Sequence, residues 1–223
     1  MTSSTAAETA VADRMARLQK LAKTDPPTAQ DAAWAWIQRL GEHLPDDAAE
    51  IDLAQLFAAG VPADVDGQTD GILVGWTTAD PDLDRNGRVL RAVFRTVTGL
   101  GVMPWLGKKF DDRAQRGTNS VSLLAVLLAA VLAPRYRLRR AGDHWEGFDM
   151  LNRVETSVVS PGTQTLVLDY ETIGTNPWPI NKVRDEAVQI VPGIYLGAKL
   201  WHQANGYRQL AYWAARSTDI GRA

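Results

Sequence analysis

In the stretch Asp82-Leu83-Asp84-Arg85-Asn86-Gly87, oxygen-bearing side chains fall at alternate positions and a glycine follows. That is how a calcium-binding loop opens. Such a loop closes on a bidentate glutamate at its twelfth position, where this chain has Val93, and Arg88, Arg91 and Arg95 would oppose a cation. The stretch is therefore read as an Asp-rich turn capping the helix after it, and no metal site is assigned. His43, His144 and His202 are scattered, with no pair at the spacing of two ligands on one helix face. There is no G-x-S-x-G elbow, no P-loop and no G-x-G-x-x-G, so neither an activated serine nor a nucleotide site is indicated. The chain has no cysteine, which excludes a disulfide scaffold, a thiol nucleophile, a Cys-ligated zinc and an iron–sulfur cluster. No cofactor is expected.

Two other stretches carry chemistry. Arg135-Tyr136-Arg137-Leu138-Arg139-Arg140 follows directly on the apolar run Val121–Ala133. An apolar helix with a basic flank suits an anionic membrane interface. Read as a strand, the same residues put Arg135, Arg137 and Arg139 on one face and Tyr136 and Leu138 on the other. The strand reading is preferred, with the apolar run buried in the core and a membrane partner not favoured. Farther on, alternation in Ile194–His202 sets Ile194, Leu196, Ala198, Leu200 and His202 against Tyr195, Gly197, Lys199 and Trp201. In the next strand Tyr207, Gln209, Ala211 and Trp213 oppose Arg208, Leu210, Tyr212 and Ala214. The faces that mix aromatics with polar groups suit a cavity lining, and Arg184, Asp185 and Glu186 on the preceding strand offer further polar groups. Trp and Tyr on strands also serve as core and cross-strand pairs.

The elements that must hold these residues follow from periodicity. Val11, Met15, Leu18 and Ala22 recur at helical spacing up to Asp25-Pro26-Pro27. A second helix after Thr28 carries Ala33, Trp36, Ile37, Leu40 and Leu44 on one face. A third begins at Asp47, with Asp46 and Asp47 as N-cap candidates, buries Leu53, Leu56 and Phe57, and ends at Gly60 in a left-handed C-terminal position. These stripes predict an extension packed on the main domain. From Gly67 the pattern changes: GILVGWTT reads as a buried strand, and Leu83–Leu100 as a helix with Val89, Leu90, Val93, Phe94 and Val97 on its stripe. The segments YRLRRAG, GFDMLNRVETSVV, TQTLVLDYET, INKVRDEAVQIV, GIYLGAKLWH and GYRQLAYWAAR read as successive strands. Ser160–Thr163 forms a turn and Gln203–Gly206 a hairpin loop. Strands joined by short connections without crossover helices predict an antiparallel meander, which protects its edges most simply by closing into a barrel.

Composition bounds the rest. The chain has 223 residues, of which 45% are hydrophobic and 22% charged, with a net charge of −2. Disorder is excluded on these values, and nucleic acid is not an expected partner. The polar, Ala-rich first twenty residues do not read as a signal peptide, and a cytoplasmic protein is expected. The eight Trp residues outnumber both Tyr and Phe, which points to broad aromatic packing surfaces or a pocket.

GILVGWTT, VMPWLGKKFDD, LNRVETSVVSPGTQTLVLDYET and NPWPINKVRDEAVQIVPGIYLGAKLW occur in one order. Over Gly67 to Arg216 the chain resembles the small bacterial proteins that pair a GxWxG-type segment with a C-terminal domain of unknown function. Trp76 matches the tryptophan of that segment, although Thr77-Thr78 follows it without the second glycine. Trp105, Gly107, Lys108, Lys109 and Phe110 match the signature of an aromatic, Gly, Lys, a basic residue and Phe. Those proteins look like lipocalin-type (calycin-like) barrels. The resemblance implies an α+β chain: an N-terminal helical extension over 1–65 and an antiparallel lipocalin-like β-barrel over 66–223. The expected function is binding of a small hydrophobic or amphipathic molecule, lipid- or polyketide-like, in the barrel. Trp76, Trp105, Tyr170, Trp178, Tyr195 and Trp201 would form aromatic walls, and Lys108 or Arg184 would pair with an anionic or carbonyl end. The alternatives are a cofactor-independent isomerase, cyclase or hydrolase using the same cavity, with Tyr170 and Asp169 or Asp185 and Glu186 as acid and base, and a membrane-peripheral component. Oligomeric state is left open.

Overall fold

Each strand that alternates apolar with polar residues can bury only one face, and closure gives all such faces one shared interior. In the computed structural model, which describes residues 2–99 and 103–218, closure is complete. The strands are β1 (Val61–Pro62), β2 (Gly67–Trp76), β3 (Trp105–Asp111), β4 (Arg116–Val121), β5 (Arg139–Ala141), β6 (His144–Thr156), β7 (Gln164–Asp169), β8 (Val183–Val191), β9 (Ile194–Gln203) and β10 (Gly206–Ser217). Pairing runs β8-β7-β6-β4-β3-β2-β10-β9 and returns from β9 to β8, an eight-stranded ring in which every pair is antiparallel. The short strands β1 and β5 add to the outside of this path, on β8 and β6. The sheet therefore starts at Val61, before residue 66.

The helices are α1 (Thr2–Ala22), α2 (Pro26–Glu42), α3 (Asp47–Ala58), α4 (Arg85–Gly99) and α5 (Leu123–Leu132). The first three form the predicted extension. Val11, Met15, Leu18, Ala33, Trp36, Ile37, Leu53, Leu56 and Phe57 pack on the outer faces of β2, β8, β9 and β10, against Val74, Val188, Leu196, Leu200 and Ala214. Two end details differ from expectation. Asp46 occupies the N-cap of α3 without a side-chain cap bond. Gly60 is absent from the positive-φ residues; a Cβ there would lie 2.6 Å from Val188, so close approach, not left-handed backbone, requires glycine.

Three other expectations are corrected. Of Arg135–Gly142 only Arg139–Ala141 forms a strand, because Tyr136 and Leu138 turn inward: Tyr136 stacks on Phe148 at 5.0 Å, and Leu138 occupies the space a Cβ at Gly147 would need. Of the run Val121–Ala133, Val121 is buried at the end of β4, but the helical part is not. Its helix α5 hides only Ala125, because the barrel interior is already filled and no other described element packs over its outer face. In α4 the stripe is also split: Leu90 is buried while Val89 and Val93 are exposed, and Leu100 lies outside the described residues. The turn at Ser160–Thr163 forms as the spacing predicts, with the Thr163 N–H donating to the Ser160 carbonyl at 3.0 Å.

Candidate functional site

Alternation on β9 sends Tyr195, Gly197, Lys199 and Trp201 inward and gives Leu196, Ala198 and Leu200 to the helices. β3 and β8 stand on opposite sides of the ring, four pairings apart in either direction. Even so, Lys108 Nζ on β3 lies 2.9 Å from Asp185 Oδ2 on β8. The ion pair therefore crosses the interior. Lys108 also donates to Tyr170 Oη at 2.5 Å and Asn119 Oδ1 at 3.1 Å, and Lys199 donates to the other Asp185 oxygen at 3.1 Å. Trp213, Trp105 and Tyr170 surround the ammonium, their ring centroids 4.9, 5.3 and 5.3 Å from Nζ. Lys108 is 1% exposed and Asp185 fully buried.

Burial pushes the Lys108 amine down to about 8, against the opposing pull of the Asp185 carboxylate, and Lys199 adds to the lowering. Burial also pushes the Asp185 carboxyl up, but Lys108 and Lys199 together outweigh it and hold the group below the usual carboxylate range. Burial, reinforced by Asp185, raises the Tyr170 phenol well above its ordinary value. The core is thus a cation, an anion and a neutral phenol, all hydrogen-bonded, which is how buried charge is tolerated. Beside it the indole N–H groups of Trp105 and Trp213 are buried with no acceptor among the described residues.

Above this core, at the end where β2 and β9 finish, α4 lies over the barrel mouth. Leu83, Leu90 and Phe94 pack on Trp76, Trp201, Leu210 and Ala211. Asp84 fixes the helix there. Its Oδ1 accepts the Gly87 N–H at 2.6 Å, as an N-cap does, and also the Trp201 Nε1–H at 3.1 Å. A Cβ at Gly87 would come 2.8 Å from Trp201, so the first turn can sit this close only with glycine. The Asp-rich turn thus caps its helix as the sequence indicates. Asp84→Ala is expected to cost about 1 kcal/mol. It should speed amide exchange in α4 about fivefold by local opening, with α2 amides as the unchanged control in hydrogen-exchange mass spectrometry.

Next to the cap is a depression of about 290 Å³, whose lining includes Asp84, Asn86, Trp178, Lys182, Trp201 and His202. Trp178 is 52% exposed. The His202 ring stacks on Tyr207 at 4.6 Å and its Nδ1 lies 2.9 Å from Glu171.

The residues expected to form one site are distributed. Trp105, Lys108 and Tyr170 meet in the polar core, and Trp76 and Trp201 meet beneath α4, where Trp76 Nε1 donates to Thr98 at 3.2 Å. Trp178 and Trp201 line the depression. Tyr195 faces inward toward the other end of the barrel, where its hydroxyl donates to the Asp64 carbonyl at 2.9 Å. Arg184 points to the outer face, because its neighbour Asp185 points in. There it pairs with Glu155 at 3.0 Å and with Glu186 at 2.9 Å. The same parity separates both proposed acid–base pairs. Asp185 and Tyr170 are inside, while Asp169 is outside with Arg153 and Thr172 and Glu186 is outside with Ser157. Asn119 and Lys182 carry no motif that marks them in the sequence, and His202 enters it only as one of three scattered histidines. The inward place of Lys199 was legible in the alternation of β9.

No family model matches the chain, and no curated protein matches it. Among solved structures it is similar to a protein from Thermomonospora curvata at 15% identity, over 92% of this chain and 97% of that one, with a TM-score of 0.36. The barrel is therefore described from its own strand pairing. No helix among the described residues is long and apolar enough to cross a membrane.

Proposed function

We propose that the protein binds a small amphipathic molecule at the barrel mouth, with the ligand's apolar body against Trp178 and Trp201 and its anionic or carbonyl end toward Lys182. The observation that carries this reading is the depression beside the α4 cap, where a half-exposed indole, a buried indole and a lysine converge. Its volume is at the small end of ligand sites, which are about 300–1,000 Å³ and join apolar walls to a few polar groups. Movement of α4 would open a path past Trp201 toward the two indole N–H donors that lack an acceptor among the described residues. A ligand oxygen reaching them would remove a penalty of about 1–3 kcal/mol each. The Lys108 core has groups suited to proton transfer, but Lys108 is sealed beneath the capped mouth, so binding is favoured over catalysis.

Decanoate serves as the probe. Titration into the wild type should quench tryptophan emission saturably, and native mass spectrometry should show one decanoate per chain. Trp178→Ala should weaken this about tenfold and leave the thermal midpoint unchanged, because the residue is half exposed. A linear, unsaturable response in the wild type, or equal binding by the variant, would sink the reading.

A further inference from the structure

Helix α5 stands on the barrel with its most apolar surface uncovered. Leu123, Leu127, Val131 and Leu132 are 62%, 59%, 79% and 63% exposed, and only Ala125 is buried. A contiguous face of this kind on a folded chain marks a contact surface. Topology puts α4 and α5 at one end of the barrel: α4 leaves from the end of β2, α5 from the end of β4, and the last residue of β4, Val121, pairs with the first of β3, Trp105. On α4, Val89 and Val93 are exposed in the same way.

Charge is the second observation. Between residues 85 and 99 the chain carries Arg85, Arg88, Arg91 and Arg95 and no acidic residue. Between 123 and 142 it carries Arg135, Arg137, Arg139 and Arg140 and again no acidic residue. Arg135, Arg137 and Arg140 are exposed and form no ion pair with a described residue, while Arg139 pairs with Asp149 at 2.7 Å. A chain of net charge −2 thus gathers a surplus of arginines beside α5, the helix among those described with the most exposed apolar surface.

We infer that α5, with the arginines that follow it and the exposed edge of α4, docks the barrel end onto an anionic lipid bilayer. A ten-residue helix is about 15 Å long, half the hydrocarbon thickness, so it lies in the interface and does not span. Its leucines and valines enter the acyl boundary while the arginines meet lipid phosphates, the pattern of interfacial helices. Charge selects lipid over a second copy of the chain. A two-fold contact through α5 brings two patches of net positive charge into one interface, and like charges brought together oppose association. The inference does not depend on what the mouth depression holds.

The test is co-flotation of the full chain with vesicles of phosphatidylcholine alone or of phosphatidylcholine mixed with phosphatidylglycerol, at low and high salt. The wild type should float with the mixed vesicles at low salt, less at high salt, and much less with phosphatidylcholine alone. Leu127→Glu/Val131→Glu should lose flotation while keeping the wild-type circular dichroism and melting curve, since both positions face solvent. Arg135→Ala/Arg137→Ala/Arg140→Ala keeps the apolar face and should bind the mixed vesicles about a hundredfold more weakly, at a few-fold per arginine. Absence of wild-type flotation on mixed vesicles, or undiminished flotation of the glutamate variant, overturns the inference. So does a dimer in sedimentation that the glutamate variant dissolves in the absence of any vesicle binding, since it assigns the face to a second copy.

Discussion

Lys108→Met is expected to lower the unfolding free energy by about 3–5 kcal/mol, the cost of removing one partner of a buried ion pair. Asp185 has no exposure of its own. In the variant it keeps only Lys199, whose side chain is 34% exposed, and the Tyr170 hydroxyl at 3.2 Å. The double variant Lys108→Met/Asp185→Leu should recover most of the loss, because two apolar groups replace two desolvated charges and Lys199 can turn to solvent. Urea unfolding of the three proteins gives the cycle directly. A single variant as stable as the wild type would show that Lys199 and Tyr170 alone satisfy the buried carboxylate. The pair also carries a pH signature. The folded Lys108 titrates at about 8 against 10.5 unfolded, so between these values the unfolded chain binds more protons. Stability contributed by this group therefore rises with pH from about 8 toward 10.5 and is lost as pH falls through that window. The rise should be absent from Lys108→Met. Asp185 works at the acid end: its contribution is present above the ordinary carboxylate range and is lost as pH falls through its lowered folded value.

Trp201→Ala should cost about 3–5 kcal/mol, the range for deleting a large buried aromatic. Trp201 is 2% exposed, fills the mouth beneath α4 and donates to the capping carboxylate of Asp84. Its loss removes the surface on which Leu83 and Leu90 rest, so α4 should lose protection from hydrogen exchange earlier than any barrel strand. Trp178→Ala, a few residues across the same depression, should change stability by less than about 0.5 kcal/mol. The contrast separates the indole that builds the mouth from the one that is free to meet a ligand.

Much of this architecture was legible in the sequence, for a definable reason. The N-terminal stripes are read correctly because one face of each helix packs on the barrel, so the apolar period is the packing period. β9 is read correctly because the helices on its outside and the core on its inside demand different residues. β3 and β4 are not recovered from periodicity, although part of β3 enters through the resemblance. In Arg116–Val121 the inward positions include Asn119, and the outward ones are also polar. A strand that lines a polar interior has no hydrophobic alternation to detect. For the same reason Asn119 is missed while Tyr195 and Trp201 are found. At the level of Lys108 a cross-barrel ion pair occupies the interior, which alternation along single strands does not reveal. The apolar run Val121–Ala133 misleads in the opposite direction. Composition alone equates a run of leucines with a core, and only the packing shows that this helix faces outward.

The most direct test of the central claim, a capped barrel mouth that receives a small amphipathic molecule, is a decanoate titration of protein labelled with 15N at tryptophan indoles. The eight indole N–H resonances report separate places in the fold. The account predicts saturable shifts of Trp178 and Trp201 at a common midpoint, followed by Trp105 and Trp213 as α4 opens, with Trp34 and Trp36 on α2 unmoved. Trp178 and Trp201 resonances that stay fixed at saturating decanoate, or shifts spread uniformly over all eight, would contradict it.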